Sequence, residues 1–337
     1  MITVGILGAT GYTAFELIKI LLRHPEVKIT TLTSRQSGRP AVASIHPSLT
    51  GRLDLPLEDL EPDQIAERCE CVFSCLPHAA SAAVVKSLAD AGRRVVDFSA
   101  DYRLHDARVY ADWYGETHVD PDRLGQVPYG LPELFAERIR GAQIVANPGC
   151  YPTSAILALA PLLQAGLIRN EGIILDSKSG VTGAGRTPKL ATLYPECNES
   201  LAAYNVGKHR HTPEIDQVLS WFAPEPIEVI FTPHLVPMDR GILTTAYALP
   251  AGKATEFELV AALRDFYSDK PFVQVVDGLP GTKHVSGTNL CHLTVRCVRG
   301  RVLVISCIDN LMKGASSAAV QNFNWMVGLP ETTALLP

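Results

Sequence analysis

The chain has 337 residues, 47% hydrophobic and 19% charged, with 30 basic and 35 acidic side chains and a formal net charge of −5. This is enough apolar material for a large core and about two domains. No basic block or basic amphipathic stripe is present, so neither nucleic acid nor an anionic membrane is an expected partner.

The chain opens directly on an apolar strand, with no leader pattern before it. The most apolar run, 154–168, is broken by Pro161, Gln164 and Gly166 and is too short to span a bilayer. Strands are expected at 2–7, 27–33, 70–75, 94–98 and 142–146, and helices at about 12–23, 79–91 and 152–165. That alternation implies βαβ units and a parallel sheet of Rossmann type. Residues 99–135, rich in Asp, Tyr, Gly and Pro, read as a long irregular excursion. After 150 the pattern changes. Runs at 227–235 and 241–249 read as strands on either side of a Pro-Met-Asp-Arg-Gly turn, and 290–298 with 301–308 as a hairpin across Arg299-Gly300. The second part is thus expected to be an α+β domain with a mainly antiparallel sheet. A last helix, 311–326, is expected to return to the first domain. The resulting boundaries are 1–147 plus 311–337 for a nucleotide-binding domain and 148–310 for a catalytic and oligomerisation domain.

Gly5-Ile-Leu-Gly8-Ala-Thr-Gly11-Tyr-Thr-Ala14 follows the first strand and opens the first helix. Gly8 permits the tight turn, and Gly11 lets backbone approach a pyrophosphate that the helix N-terminus stabilises. At the end of the second strand, Ser34-Arg35 stands where an acid would read the ribose of NAD. A guanidinium there suits a 2′-phosphate, so NADP is the expected cofactor.

Eight cysteines show neither a disulfide framework nor metal-ligand spacing, which fits a reduced, cytoplasmic protein without a metal. Cys150 differs from the other seven. It follows the strand 142–146 and Asn147-Pro-Gly, just where a helix begins. The unpaired amides and dipole at such a start favour a thiolate, the reactive form. The alternative is a small cysteine packed at a strand end. Lys208-His209-Arg-His211-Thr-Pro-Glu214 precedes another helix. Its spacing is not a common zinc pattern, and a Cys–His pair for nucleophilic chemistry fits better. The alternative is two surface histidines at a helix start.

Six segments taken together resemble the N-acetyl-γ-glutamyl-phosphate reductase family over essentially the whole length. They are Gly8-Ala-Thr-Gly11-Tyr-Thr, Asn147-Pro-Gly-Cys150-Tyr-Pro-Thr, Ser179-Gly-Val-Thr-Gly-Ala-Gly-Arg186, His209-Arg-His211-Thr-Pro-Glu214, Thr232-Pro-His-Leu-Val-Pro-Met-Asp-Arg240-Gly and Asp309-Asn310-Leu-Met-Lys-Gly314. Ala14 and Asp239 depart from the family's usual glycine and threonine.

The resemblance implies NADPH-dependent reduction of an acyl phosphate to an aldehyde through a thioester on Cys150. His209 would be the general acid or base, with Glu214 orienting it or serving as a helix-start carboxylate, and His211 structural. It implies cofactor contacts at Gly8, Thr10, Gly11, Tyr12, Thr13, Ser34, Arg35, Pro77, Ser179, Gly180, Gly183 and Asn310. His78 would line the cofactor groove or merely start a helix. Arg103, Arg186 and Arg240 are candidates for the substrate's carboxylate and phosphate, each with an internal ion pair as the alternative. The partner is a small acyl-phosphate substrate, and a homo-oligomer, dimer or tetramer, is expected through the second domain's sheet. Rival readings are the same chemistry on N-acylaminoadipyl, carrier-bound aminoacyl or β-aspartyl substrates, and a non-catalytic NADP-sensing regulator.

Overall fold

In the computed structural model, which describes residues 1–336, six short apolar runs form one sheet. They are β1 (Ile2–Leu7), β2 (Val27–Thr33), β3 (Leu57–Glu58), β4 (Cys71–Ser74), β5 (Arg94–Asp97) and β6 (Ile144–Ala146). The order is β3-β2-β1-β4-β5-β6 and every pairing is parallel. Alternate side chains serve opposite faces. Leu7, Val72, Val95 and Ile144 meet Ile65, Val85 and Leu88 from the helices Pro62–Arg68 and Ala82–Asp90. On the other face the Phe73 ring lies 5.6 Å from Phe323 in the helix Ser317–Val327. That helix packs against Tyr12–Leu21 and Pro132–Ile139. Full burial of such side chains contributes about 1.5–3 kcal/mol each. The strands, the three βα helices and the Rossmann-type sheet agree with the expected fold class.

Two compact units divide the chain. One comprises Met1–Pro148 with the chain from Ala315 onward, the other Gly149–Gly314. The excursion 99–135 is more regular than its composition predicts, with helices at Ala107–Tyr114 and from Pro132. Asp106 caps the first by accepting from the Arg108 amide at 2.6 Å, and Gly115 ends it in the left-handed conformation. The last helix also starts later than its periodicity suggests, at Ser317, after a π-helical turn Met312–Ser316.

The second unit holds β7 (Ile174–Gly180), β8 (Ala202–Ala203), β9 (Ile230–Val236), β10 (Ile242–Ala248), β11 (Val273–Val275), β12 (Cys291–Val298) and β13 (Arg301–Ile308). Their order is β11-β12-β13-β10-β7-β9-β8. β11/β12 and β7/β9 are parallel and the other pairings antiparallel. The β12–β13 hairpin turns through Arg299 (φ 49°) and Gly300 (φ 78°), both left-handed as a two-residue hairpin of this twist demands. The helix Cys150–Gln164 packs on β10 and β13 and against the helices Thr212–Ser220 and Glu256–Phe266. A buried hydroxyl chain joins it to the sheet. The Ser154 hydroxyl is hydrogen-bonded to those of Thr244 (3.0 Å) and Ser306 (2.9 Å), donating to one and accepting from the other, and Thr244 pairs with Ser177 (2.9 Å). Among the described residues no helix is long and apolar enough to cross a membrane.

Within the first unit, Asn322 is fully buried and donates to the Gly130 carbonyl (2.7 Å) and to Asn147 Oδ1 (2.9 Å). Replacing it leaves two buried acceptors unpaired, each costing about 1–3 kcal/mol. Asn322→Leu is therefore expected to lower the stability of this unit by about 2–6 kcal/mol, measured as a lower urea midpoint. An unchanged midpoint would mean that these bonds contribute nothing net.

Candidate functional site

In the first unit β1 ends at Leu7 and the chain turns at Gly8, whose φ is +69°. A Cβ there would also lie 2.8 Å from the Cys75 carbonyl oxygen, so the turn requires glycine. Gly11, with extended backbone, caps the helix Tyr12–Leu21, which leaves the first helical amides facing the loop. A cavity of about 640 Å³ opens there, lined by Gly8, Thr10, Ser34, Arg35 and Pro77. It sits at the carboxyl ends of β1, β2 and β4, where the strand order reverses on either side of β1. A glycine turn without a Cβ, beside a helix start, fits a pyrophosphate.

Of the residues expected here, five line the cavity, while Gly11, Tyr12 and Thr13 form the helix start beside it. Asp59 and Glu61 also line it, and the sequence reading missed both. They follow a two-residue strand, too short to leave a periodic signal. His78 accepts the Ala100 amide at 2.9 Å through Nδ1 and stacks edge-on against Tyr114.

In the second unit Cys150 is the first residue of its helix and half-buried, with Gly149 as the cap. Two glycines enclose it. A Cβ on Gly314 would lie 2.8 Å from Cys150 Cβ, and one on Gly149 would lie 2.5 Å from His211 Nε2. Glu214, buried in the first turn of the helix Thr212–Ser220, accepts the Gly149 amide at 2.9 Å. His211 is thus the imidazole that rests on the residue before the thiol. The His209 ring lies 4.9 Å from that of His211 and meets Tyr151, Tyr204 and Phe231 edge-on. His209 Nδ1 accepts the His211 backbone amide at 3.1 Å. Burial, with the neighbouring Arg210 charge, pushes its pKa down to about 4.

The glycine loop after β7 is tied to the β9–β10 turn. Val181 donates to Met238 O (2.9 Å) and Thr182 to Asp239 O (3.2 Å). Ser179 Oγ donates to Gly180 O at 3.0 Å, and Gly183 lies over that hydroxyl. Asn310 braces the same turn. Its Nδ2 donates to Thr182 Oγ1 (3.0 Å) and its Oδ1 accepts the Gly241 amide (2.7 Å).

The three candidate arginines separate. Arg240 pairs with the fully buried Asp309 at 3.1 Å, and Arg186 is exposed. Arg103, in the first unit, is buried and donates to the carbonyls of Asn147 (2.8 Å) and Phe98 (2.7 Å).

A parallel sheet ending on a glycine turn, and a cysteine at a helix start packed against an imidazole-bearing segment, define an oxidoreductase that uses a nicotinamide cofactor. The family comparisons agree. Residues 3–142 match the semialdehyde dehydrogenase NAD binding domain, and residues 150–310 the semialdehyde dehydrogenase dimerisation domain. The chain is 56% identical to the N-acetyl-gamma-glutamyl-phosphate reductase of Rhodopirellula baltica and 53% identical to that of Citrifermentans bemidjiense. Each match covers 99% of this chain and 98% of the relative. The chain belongs to the N-acetyl-γ-glutamyl-phosphate reductase family. Its fold is that of aspartate semialdehyde dehydrogenase II of Vibrio cholerae (TM-score 0.74, 17% identity, 97% of this chain and 98% of that one). It is also that of the Candida albicans aspartate semialdehyde dehydrogenase solved with NADP (TM-score 0.72, 18% identity, 97% and 98%).

The close approach of Gly314 yields a direct expectation. Gly314→Ala puts a methyl group against Cys150 Cβ and must shift the thiol. A misplacement of about 1 Å costs roughly 100-fold in rate, so kcat is expected to fall by about that factor while the fold persists. Circular dichroism and single-turnover kinetics would check this. Wild-type kcat in the variant would show that Gly314 does not set the thiol position.

Proposed function

We propose that this protein reduces N-acetyl-γ-glutamyl phosphate to N-acetylglutamate semialdehyde with NADPH, releasing phosphate, as a step of arginine biosynthesis. The placement of Cys150, first in its helix with Gly149 and Gly314 closed against its neighbourhood, carries this reading. The Cys150 thiolate attacks the acyl carbon. A C–S bond forms and the bond to the phosphate oxygen breaks. The resulting thioester accepts a hydride, the chemistry that a bound reduced nicotinamide supplies. The thiohemiacetal then collapses, the C–S bond breaks, and the aldehyde leaves with the thiolate restored. Backbone amides of the first helical turn stabilise the oxyanion at each tetrahedral stage.

His209 and His211 divide the proton work in this reading. With Nδ1 already accepting an amide, neutral His209 carries its proton on Nε2 and is a hydrogen-bond donor. In this reading His211, which rests on Gly149, is assigned the transfer of the thiol proton, the role that the family resemblance gives to His209. Glu214 holds the Gly149 amide and so sets the loop that presents Cys150. Arg103 and Arg240 hold backbone carbonyls and Asp309 and support the loops they sit in. Arg186, in the glycine loop after β7, is a candidate for the substrate's anionic groups by its motif position.

The first unit is assigned the cofactor and the second the chemistry and self-association. A second copy is expected on the open face of the second sheet. There Ile230 is 62% exposed, and Asp176 joins Lys178 (2.7 Å) and His234 (3.1 Å). Eight free thiols suit the reducing cytoplasm.

The reverse reaction tests the mechanism. Aldehyde and NADP⁺ should give one NADPH per site and then nearly stop, because water attacks a shielded thioester poorly. Orthophosphate should restore turnover, and Cys150→Ser should abolish the burst. Full-rate turnover without phosphate would make the protein a hydrolytic aldehyde dehydrogenase instead. Forward assays with β-aspartyl and N-acylaminoadipyl phosphates alongside would expose a different acyl chain.

NADP is preferred on the same grounds. Ser34 and Arg35 line the cavity, and no acid ends β2. Arg35→Asp is expected to move the NADPH/NADH ratio of kcat/KM towards NADH by at least about tenfold, the loss of one charge-assisted phosphate contact. An unchanged ratio would remove Arg35 from phosphate recognition.

A further inference from the structure

Tyr204 stood out in none of the sequence motifs, yet it meets two groups of the site. Its ring centroid lies 5.5 Å from that of His209 at an interplanar angle of 69°. Its hydroxyl donates to that of Tyr151 at 3.2 Å, and Tyr151 in turn donates to the His234 carbonyl at 3.2 Å. Tyr151 directly follows the nucleophile. Burial pushes the Tyr204 phenol up to about 12, and the Cys150 charge adds to the rise. The phenol therefore stays protonated and faces the thiol's field. Its backbone amide is fixed too, donating to the Pro233 carbonyl at 3.1 Å.

We propose that Tyr204 is a positioning residue. Its ring completes a wall with Tyr151 and Phe231 that keeps His209 uncharged, and its hydroxyl bond to Tyr151 holds that wall shut. Three aromatic rings stand around the imidazole at 5.2–5.5 Å, and only Tyr204 comes from the exposed segment before it. A cation formed inside such a wall loses its hydration and gains no anionic partner from it. Protonation at Nδ1 would also break the bond to the His211 amide. The other titratable or charged groups facing His209 are His211, Arg210 and Tyr151. Arg210 opposes a cation, and the two phenols remain neutral. Neutral His209 can keep donating from Nε2 throughout the cycle. The protein thus gains a fixed hydrogen-bond donor on the segment that carries His211, while His211 is left to exchange protons.

This proposal rests on the placement of His209 in the reductase chemistry above, but its test needs no substrate. The imidazole titrations of the full chain are followed by ¹H–¹⁵N NMR, with the His209 signal identified by its loss in His209→Gln. Wild type should titrate near 4, well below the ordinary 6.5. Tyr204→Ala should raise His209 by about one unit or more by admitting water, and Tyr204→Phe, which keeps the ring, should stay close to wild type. A wild-type value near 6.5 overturns the proposal without any variant. So does an Ala variant that titrates like wild type, or a Phe variant that titrates like Ala. If the forward assay fails while these titrations hold, the reductase reading fails and the aromatic wall stands.

Discussion

The absence of side-chain volume around one cysteine is the constraint on which the second unit depends. Gly149 and Gly314 leave no room for a methyl group, one against His211 and the other against Cys150 itself. Two segments far apart in sequence can therefore close on the start of a single helix. The carboxylate of Glu214 fixes the Gly149 amide from a third segment. A helix start favours an anion through its unpaired amides, and this packing decides what can share that space with the anion. Rotation of the helix is limited from below as well, because Ser154, one turn along, is bonded to Thr244 and Ser306 on two strands. Each contact is worth only about 1 kcal/mol in stability. Their combined effect is on position, to which rates respond far more steeply.

A second buried anion organises the loops around this packing. Asp309 takes the Leu311 amide (2.8 Å), the Met312 amide (3.2 Å), the Gly287 amide (2.6 Å) and the Arg240 guanidinium (3.1 Å). Four donors on one fully buried carboxylate offset the cost of removing it from water. The arrangement starts the π-helical turn that carries Gly314, and it places Asn310 where its amide spans the Thr182 and Gly241 loops. Arg240 thus acts by fixing the backbone of the site, even though a guanidinium in a motif-bearing loop reads in sequence as a ligand for substrate.

That case shows what the sequence made legible and where it failed. The glycine turn after β1, the helix at Cys150 and the β12–β13 hairpin were all readable, because each depends on local backbone chemistry that residue types announce. β7 was not readable. Its inward positions are Leu175, Ser177 and Ser179. Ser177 is buried because Thr244 supplies a partner from another strand, and Ser179 donates to the carbonyl of its neighbour Gly180. A hydrophobic pattern vanishes when hydroxyl chains replace apolar packing. The helix Ala107–Tyr114 lay hidden in a stretch rich in Asp, Tyr and Gly for a related reason. Asp106 and Gly115 are its caps, and Tyr110 is held by a 2.8 Å bond to Asp101. The arginines failed differently, since composition cannot tell a carbonyl partner from a substrate. Arg103 and Arg240 read as substrate ligands until their partners are seen.

The two histidines follow the same logic and separate by environment alone. They are two residues apart on one segment, and the family resemblance by itself assigns the acid–base role to His209. Folding puts one imidazole on the Gly149 backbone and the other among aromatic rings, where its Nδ1 accepts the amide of the first. Once that amide is accepted, the buried ring has one tautomer and little access to a second proton. In the proposed chemistry a histidine so committed serves as a fixed donor. Its neighbour, carried on the same turn and backed by Glu214 through Gly149, lies closer to the thiol's own backbone. Identical side chains thereby become unlike groups, through the dielectric around one and the hydrogen bond between them.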